Sequence, residues 1–179
     1  MSDDPRMDFS KALAWAVSKA RAVTPEQLDA ASPCVGWTVR QVIEHAAGAA
    51  GYIVTAFGAP PAQTAGLAPA AAFAQNAEAA LAVIEDDDAL TKEVDWVTGK
   101  VPGAALLGIF TPEFLVHGWD IATGTGQDAE APAALAEATL AAAKIAVPAE
   151  GRNPAVFGPV VQVPEDSGPT RKLAAWLGR

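Results

Sequence analysis

The sequence has one cysteine, Cys34. That excludes an internal disulfide and any cysteine-based zinc cluster. It is also short of basic residues: 12 Lys and Arg stand against 21 Asp and Glu, a formal net charge of −9 and a pI near 4.6. Nucleic-acid binding draws on Lys and Arg contacts to phosphate, so no nucleic-acid partner is expected. No stretch of roughly 18 or more residues is free of charged or chain-breaking residues, so no membrane span is expected. The opening Met1-Ser2-Asp3-Asp4-Pro5 lacks a basic segment followed by an apolar one, and does not read as a signal peptide. A soluble, cytoplasmic protein is the expectation. A nucleophile elbow and a phosphate-binding loop are also missing. Gly124-Thr125-Gly126 lacks the third glycine of a dinucleotide fingerprint and follows a helical pattern, so it reads as a helix stop.

What is present is apolar and alanine-rich. The 179 residues are 51% hydrophobic and 18% charged. At roughly 150 residues per domain this suggests one domain over residues 1–179. Phe9, Ala12, Leu13, Ala16, Val17 and Ala20 mark one face of a helix from about Phe9 to Val23. Breakers follow at Thr24-Pro25-Glu26 and Ala31-Ser32-Pro33. A second helix starts at Thr38, an N-cap whose capping-box partner is Gln41, with Trp37 and Val42 placed for a hydrophobic staple. It ends at Gly58. A third helix is expected over about Pro69–Ile84 and a short extended piece over Glu93–Val97. A fourth helix runs from about Gly103 to Thr123, with a kink or a restart capped by Thr111 where Pro112 falls. A fifth helix covers about Pro132–Val147. A strand at Val160–Val163 and a last helix over Thr170–Leu177 complete the pattern. Five or six helices with little strand make an all-α bundle.

The chain has two histidines, His45 and His117. On the fourth helix Gly103, Leu106, Phe110, Phe114, His117 and Ile121 share a stripe. Glu113 lies beside it, one turn before His117. A core-facing carboxylate is costly without compensation, and this helix carries no Lys or Arg. A divalent metal would compensate it. His45, next to Gly48 and Ala49 on the second helix, can face Glu113 and His117 if the two helices are antiparallel. Two imidazoles and a carboxylate suit a zinc site with an open position; nickel, iron, manganese and cobalt accept the same set. Taken singly, a histidine on an apolar face is usually a hydrogen-bonded core residue, and Glu-x-x-x-His is often an ordinary helix pair.

Asp120 is a candidate fourth ligand, an acceptor that orients an imidazole N–H, a general base, or a solvated residue. Cys34 lies just ahead of a helix N-terminus, where a thiol pKa can fall, or is a small packing residue. Arg40 is a solvated or ion-paired residue, or a group that binds an anionic ligand.

Two segments resemble a known family. Pro33-Cys34-Val35-Gly36-Trp37-Thr38-Val39-Arg40 followed by His45 resembles the start of the second helix in DinB-like proteins of the mycothiol-dependent maleylpyruvate isomerase type. Glu113-Phe114-Leu115-Val116-His117-Gly118-Trp119-Asp120 followed by Ala122-Thr123-Gly124 resembles that family's second metal segment. The tail, Val163-Pro164-Glu165-Asp166 and Leu173-Ala174-Ala175-Trp176-Leu177-Gly178-Arg179, is similar to a subgroup of short members. The resemblance implies a DinB-like four-helix bundle with short extra helices, at most a minor strand pair, and one domain over residues 1–179. It implies a divalent metal on His45, Glu113 and His117, beside the roles read from the residues themselves, catalytic or orienting for Asp120 and toward the cofactor for Arg40. It implies further a thiol-dependent transferase or isomerase that uses mycothiol or another small thiol on a small organic molecule. The alternative is a metal- or small-ligand-binding module without turnover. A two-fold homodimer is the expected assembly.

Overall fold

The protein is described by a computed structural model over residues 4–154 and 156–179. The acidic opening Met1-Ser2-Asp3 lies outside the described residues. Six α-helices and one two-stranded sheet are found among the described residues: α1 Pro5–Arg21, α2 Val39–Ala56, α3 Pro69–Val83, β1 Glu93–Trp96, β2 Gly99–Pro102, α4 Gly103–Thr125, α5 Ala133–Ala146 and α6 Pro169–Trp176. The all-α expectation with a minor strand pair holds. No helix among the described residues is long and apolar enough to cross a membrane.

Each helix start has a local cause. Asp4 accepts from the Arg6 backbone N–H, so α1 begins four residues before the first apolar position, Phe9. At α2 the Thr38 hydroxyl accepts from Gln41 N–H (3.4 Å) and the Gln41 amide oxygen accepts from Thr38 N–H (2.9 Å), which is the expected capping box. Gly58, at φ +85°, turns the chain out of α2. The breaker at Thr24 opens a 3₁₀ turn, Pro25–Gln27.

Two expectations are corrected and one is borne out in more detail. The fourth helix does not restart at Pro112; α4 runs through it, from Gly103 to Thr125. Proline there removes one backbone donor, and Thr111 caps nothing: its hydroxyl donates to the Leu107 carbonyl one turn back. Most of the second half of α4 is buried, and that packing outweighs the local preference. Val160–Val163 forms no strand, because Val161 N–H donates to the Ala175 carbonyl at the end of α6 rather than to a partner strand. The extended piece at Glu93 does form, but as half of a hairpin: β1 pairs antiparallel with β2, Trp96 opposite Gly99.

The core is a ring of four helices. α1 packs on α3 and α4, and α2 packs on α3 and α4; α5 and α6 pack on each other and cover α4. Phe9, Leu13, Ile43, Ile53, Phe73, Leu106, Phe114 and Leu115 are fully buried at its centre. The Phe9, Phe73 and Phe114 rings meet there at 5.7 to 6.0 Å. Gly103 fixes where α4 begins. A Cβ at this position would lie 2.0 Å from the Ala89 carbonyl oxygen and 3.0 Å from the Phe57 ring. Gly103→Ala should therefore shift α4 or the loop and cost about 1–3 kcal/mol. A denaturant midpoint unchanged from the parent protein would contradict this close approach.

Candidate metal centre

The site forms where α2 and α4 run antiparallel. Four turns of apolar packing along each helix, beginning at Val39 on α2, fix the direction of its flank, which carries His45. On α4 the buried stripe carries His117, and Glu113 sits one turn earlier at its edge. His45 Nε2 and Glu113 Oε1 are 2.7 Å apart, and His117 Nε2 is 3.2 Å from the same oxygen. The three candidate ligand atoms lie within 4.8 Å of one another. His45 is 42% exposed at the side chain, Glu113 34% and His117 5%, so the cluster is open toward His45 and closed behind His117.

Asp120 stands behind His117. It is fully buried, and its Oδ2 meets His117 Nδ1 at 3.0 Å and Arg179 Nε at 3.1 Å. Asp120 is thus not a solvated residue. It binds the ring nitrogen opposite the one facing Glu113, so it holds the imidazole with Nε2 toward the cluster. Trp37 completes the frame. Its ring stacks on His117 at 6.2 Å and 9° and meets the His45 ring edge-on at 5.0 Å.

These contacts explain the charge states. Burial alone would lower the His117 pKa, but hydrogen bonds to Asp120 and Glu113 outweigh it and push it up to about 9. Burial would raise the pKa of Glu113; hydrogen bonds from His117 and His45 reverse that and hold it well below the usual carboxylate range. The carboxylate that has no Lys or Arg on its helix is bonded by two imidazoles, His117 on α4 and His45 on α2. Two N–H groups converge on one carboxylate oxygen, and the three donor atoms are close enough together to hold one metal ion. Two imidazoles and one carboxylate are a fitting donor set for such an ion.

A cavity of about 1300 Å³ opens from the cluster. Gly48 and Ala49 line it as anticipated, together with Cys34, Trp37 and Arg179. Cys34 is half-buried there, and burial, not the helix start, dominates its thiol, whose pKa is raised. Arg40 is not brought to this place. It pairs with Asp29 at 3.3 Å and is not among the lining residues. The cation facing the cavity is Arg179. No local pattern points to it, because its partner Asp120 is 59 residues away. Trp37 was visible only as part of the motif before the α2 cap.

Residues 10–95 match the family described as mycothiol maleylpyruvate isomerase N-terminal domain. Two uncharacterized proteins, from two strains of Mycobacterium tuberculosis, are each 32% identical over 180 residues, covering 98% of this chain and 98% of theirs. No solved structure matches the chain.

Proposed function

Because the chain belongs to the mycothiol maleylpyruvate isomerase N-terminal domain family, we propose that it binds one divalent metal, zinc first among the candidates, through His45, Glu113 and His117. On this reading it is a thiol-dependent transferase or isomerase for a small organic electrophile. The observation that carries the reading is the joining of a three-donor cluster to a roomy cavity. A purely structural zinc site takes four protein ligands and needs no cavity. Here Asp120, the obvious fourth, is engaged on the far side of His117.

A metal in this cluster supplies a Lewis acid that lowers the pKa of a neighbouring thiol or water and so provides a nucleophile at neutral pH. The protein's own groups supply the rest. Asp120 keeps His117 in one tautomer and one orientation. Trp37 covers the imidazoles and limits water on that side. Arg179, tied through Nε to Asp120, lines the cavity, and a guanidinium there suits an anionic group on the thiol or the substrate. Residues 1–179 act as one bundle domain in this reading.

The test is thiol consumption. Metal-loaded protein given mycothiol and a panel of small electrophiles should consume thiol faster than a chelator-treated control. Equal rates in the two across the panel would leave the metal-binding module without turnover as the better account.

Metal affinity should also depend on pH. His117 holds its proton below about 9, and the metal must displace it. His117 therefore contributes a rise of about tenfold in affinity per pH unit up to that point, and nothing above it. Titrations at pH 6.5, 7.5 and 8.5 read the slope. A flat profile would show that His117 loses no proton on binding.

A further inference from the structure

The cavity runs past the metal cluster to the β1–β2 hairpin, where three aromatic rings from three elements close its end. Tyr52 of α2, Trp96 of β1 and Phe110 of α4 pack on one another with centroids 5.6 to 5.9 Å apart, and all three line the cavity. The Tyr52 hydroxyl donates to the Asp95 carbonyl at 2.5 Å, which ties the hairpin to α2. Tyr52 lies seven residues after His45 and Phe110 seven before His117. At 1.5 Å per residue, both antiparallel helices place the aromatic wall about 10 Å from the imidazoles.

Two exposed helical glycines lie along the same cavity. Gly48 on α2 and Gly108 on α4 line the cavity, and a Cβ at either would meet nothing within 4 Å. Neither has a positive φ. Glycine inside a helix is destabilising relative to alanine, so a helical glycine normally answers to a close approach or a special backbone. Gly103, Gly118 and Gly124 do answer to close approaches: a Cβ there would meet the Ala89 carbonyl, the Trp15 ring or the Val39 side chain at 3.0 Å or less. Gly48 and Gly108 answer to neither. Gly48, one turn from both His45 and Tyr52, leaves open space along α2 between the imidazoles and the rings, whereas Gly108, about 200° around α4 from Phe110, borders the cavity on the other side of that helix. Fastening the hairpin would need the three rings to touch each other, but it would not need them to face a cavity cleared by glycine.

We propose that this slot, the open stretch over Gly48 between the imidazoles and the rings of Tyr52, Trp96 and Phe110, is a subsite for an aromatic ring on the substrate. The ring lies against the aromatic wall, and a linker of a few bonds brings the reactive atom back toward His45, Glu113 and His117. That second half rests on the function proposed above; the slot itself does not. The substrate class is an arene-bearing electrophile, since ring stacking at 4.5–7 Å favours an arene over a saturated ring of the same size.

Benzyl alcohol and cyclohexylmethanol test this. Both are neutral and of similar size, so neither pairs with Arg179. Ligand-observed NMR on chelator-treated and metal-loaded protein should show benzyl alcohol binding about three- to tenfold tighter than cyclohexylmethanol in both forms. Gly48→Leu fills open space and removes a helical glycine, so it should keep or raise the parent's thermal midpoint and keep its metal content while binding benzyl alcohol more than about tenfold more weakly. Trp96→Leu should erase the preference for the aromatic ring. Equal binding of the two alcohols by the parent protein would overturn the proposal, as would parent-like binding of benzyl alcohol by Gly48→Leu. Ring preference without metal uptake would sink the metal reading alone, and metal uptake without ring preference would sink the slot alone.

Discussion

Asp120→Ala should lower the stability of the metal-free protein by about 3–5 kcal/mol, the usual effect of removing one partner from a buried ion pair. Asp120 is fully buried between His117, 5% exposed at the side chain, and Arg179, 14% exposed. Its loss leaves both cations without their shared acceptor. The same substitution should weaken metal binding 10- to 100-fold, because nothing else fixes the His117 ring from behind. Asp120→Asn keeps one acceptor in place and should show a smaller loss of both. Urea denaturation and a competitive metal titration read the two effects separately. A variant with parent stability and parent affinity would show that Asp120 neither balances nor orients anything.

His117→Ala should reduce bound metal to below about a tenth of an equivalent, since one of three donors is gone and two remain. His45→Ala should weaken metal binding as well. The two should differ in stability. His117 is buried and bonded to both Glu113 and Asp120, whereas His45 is 42% exposed and bonded to Glu113 alone. Removing His117 should therefore cost more than removing His45, by about 1–3 kcal/mol. Arg179 still pairs with Asp120 in the His117 variant, so the bundle should keep its helical circular dichroism. Stoichiometric metal on His117→Ala would remove it from the ligand set.

Much of this architecture was legible because its causes are local. The capping box at Thr38 and Gln41 fixed the start of α2, and the period of the α4 stripe placed Glu113 and His117 on one edge. The Glu113 carboxylate without a Lys or Arg on its helix pointed to a metal, and His45 was the available further ligand; the structure brings it to 2.7 Å from Glu113. The remainder depended on contacts between distant residues. Pro112 reads as a break by its missing donor, but the buried face of α4 carries the helix through it. β2, with Gly99 and Pro102 among its four residues, has little strand propensity and exists through its register with β1. Val160–Val163 has a strand's alternation, yet Val161 bonds to the end of α6. Arg40 was the visible candidate for a cation at the site, and Asp29 holds it away from the cavity. Arg179 meets Asp120 only because α6 folds back over α4.

The central claim is that His45, Glu113 and His117 hold a metal. Elemental analysis of the protein purified without chelator, followed by titration of the chelator-treated protein with zinc, tests it most directly. The account predicts one equivalent of a divalent metal per chain, present on purification or restored by titration, and released when His117 is replaced. Less than about a tenth of an equivalent of any transition metal on purification, with no saturable zinc binding on titration, would contradict it.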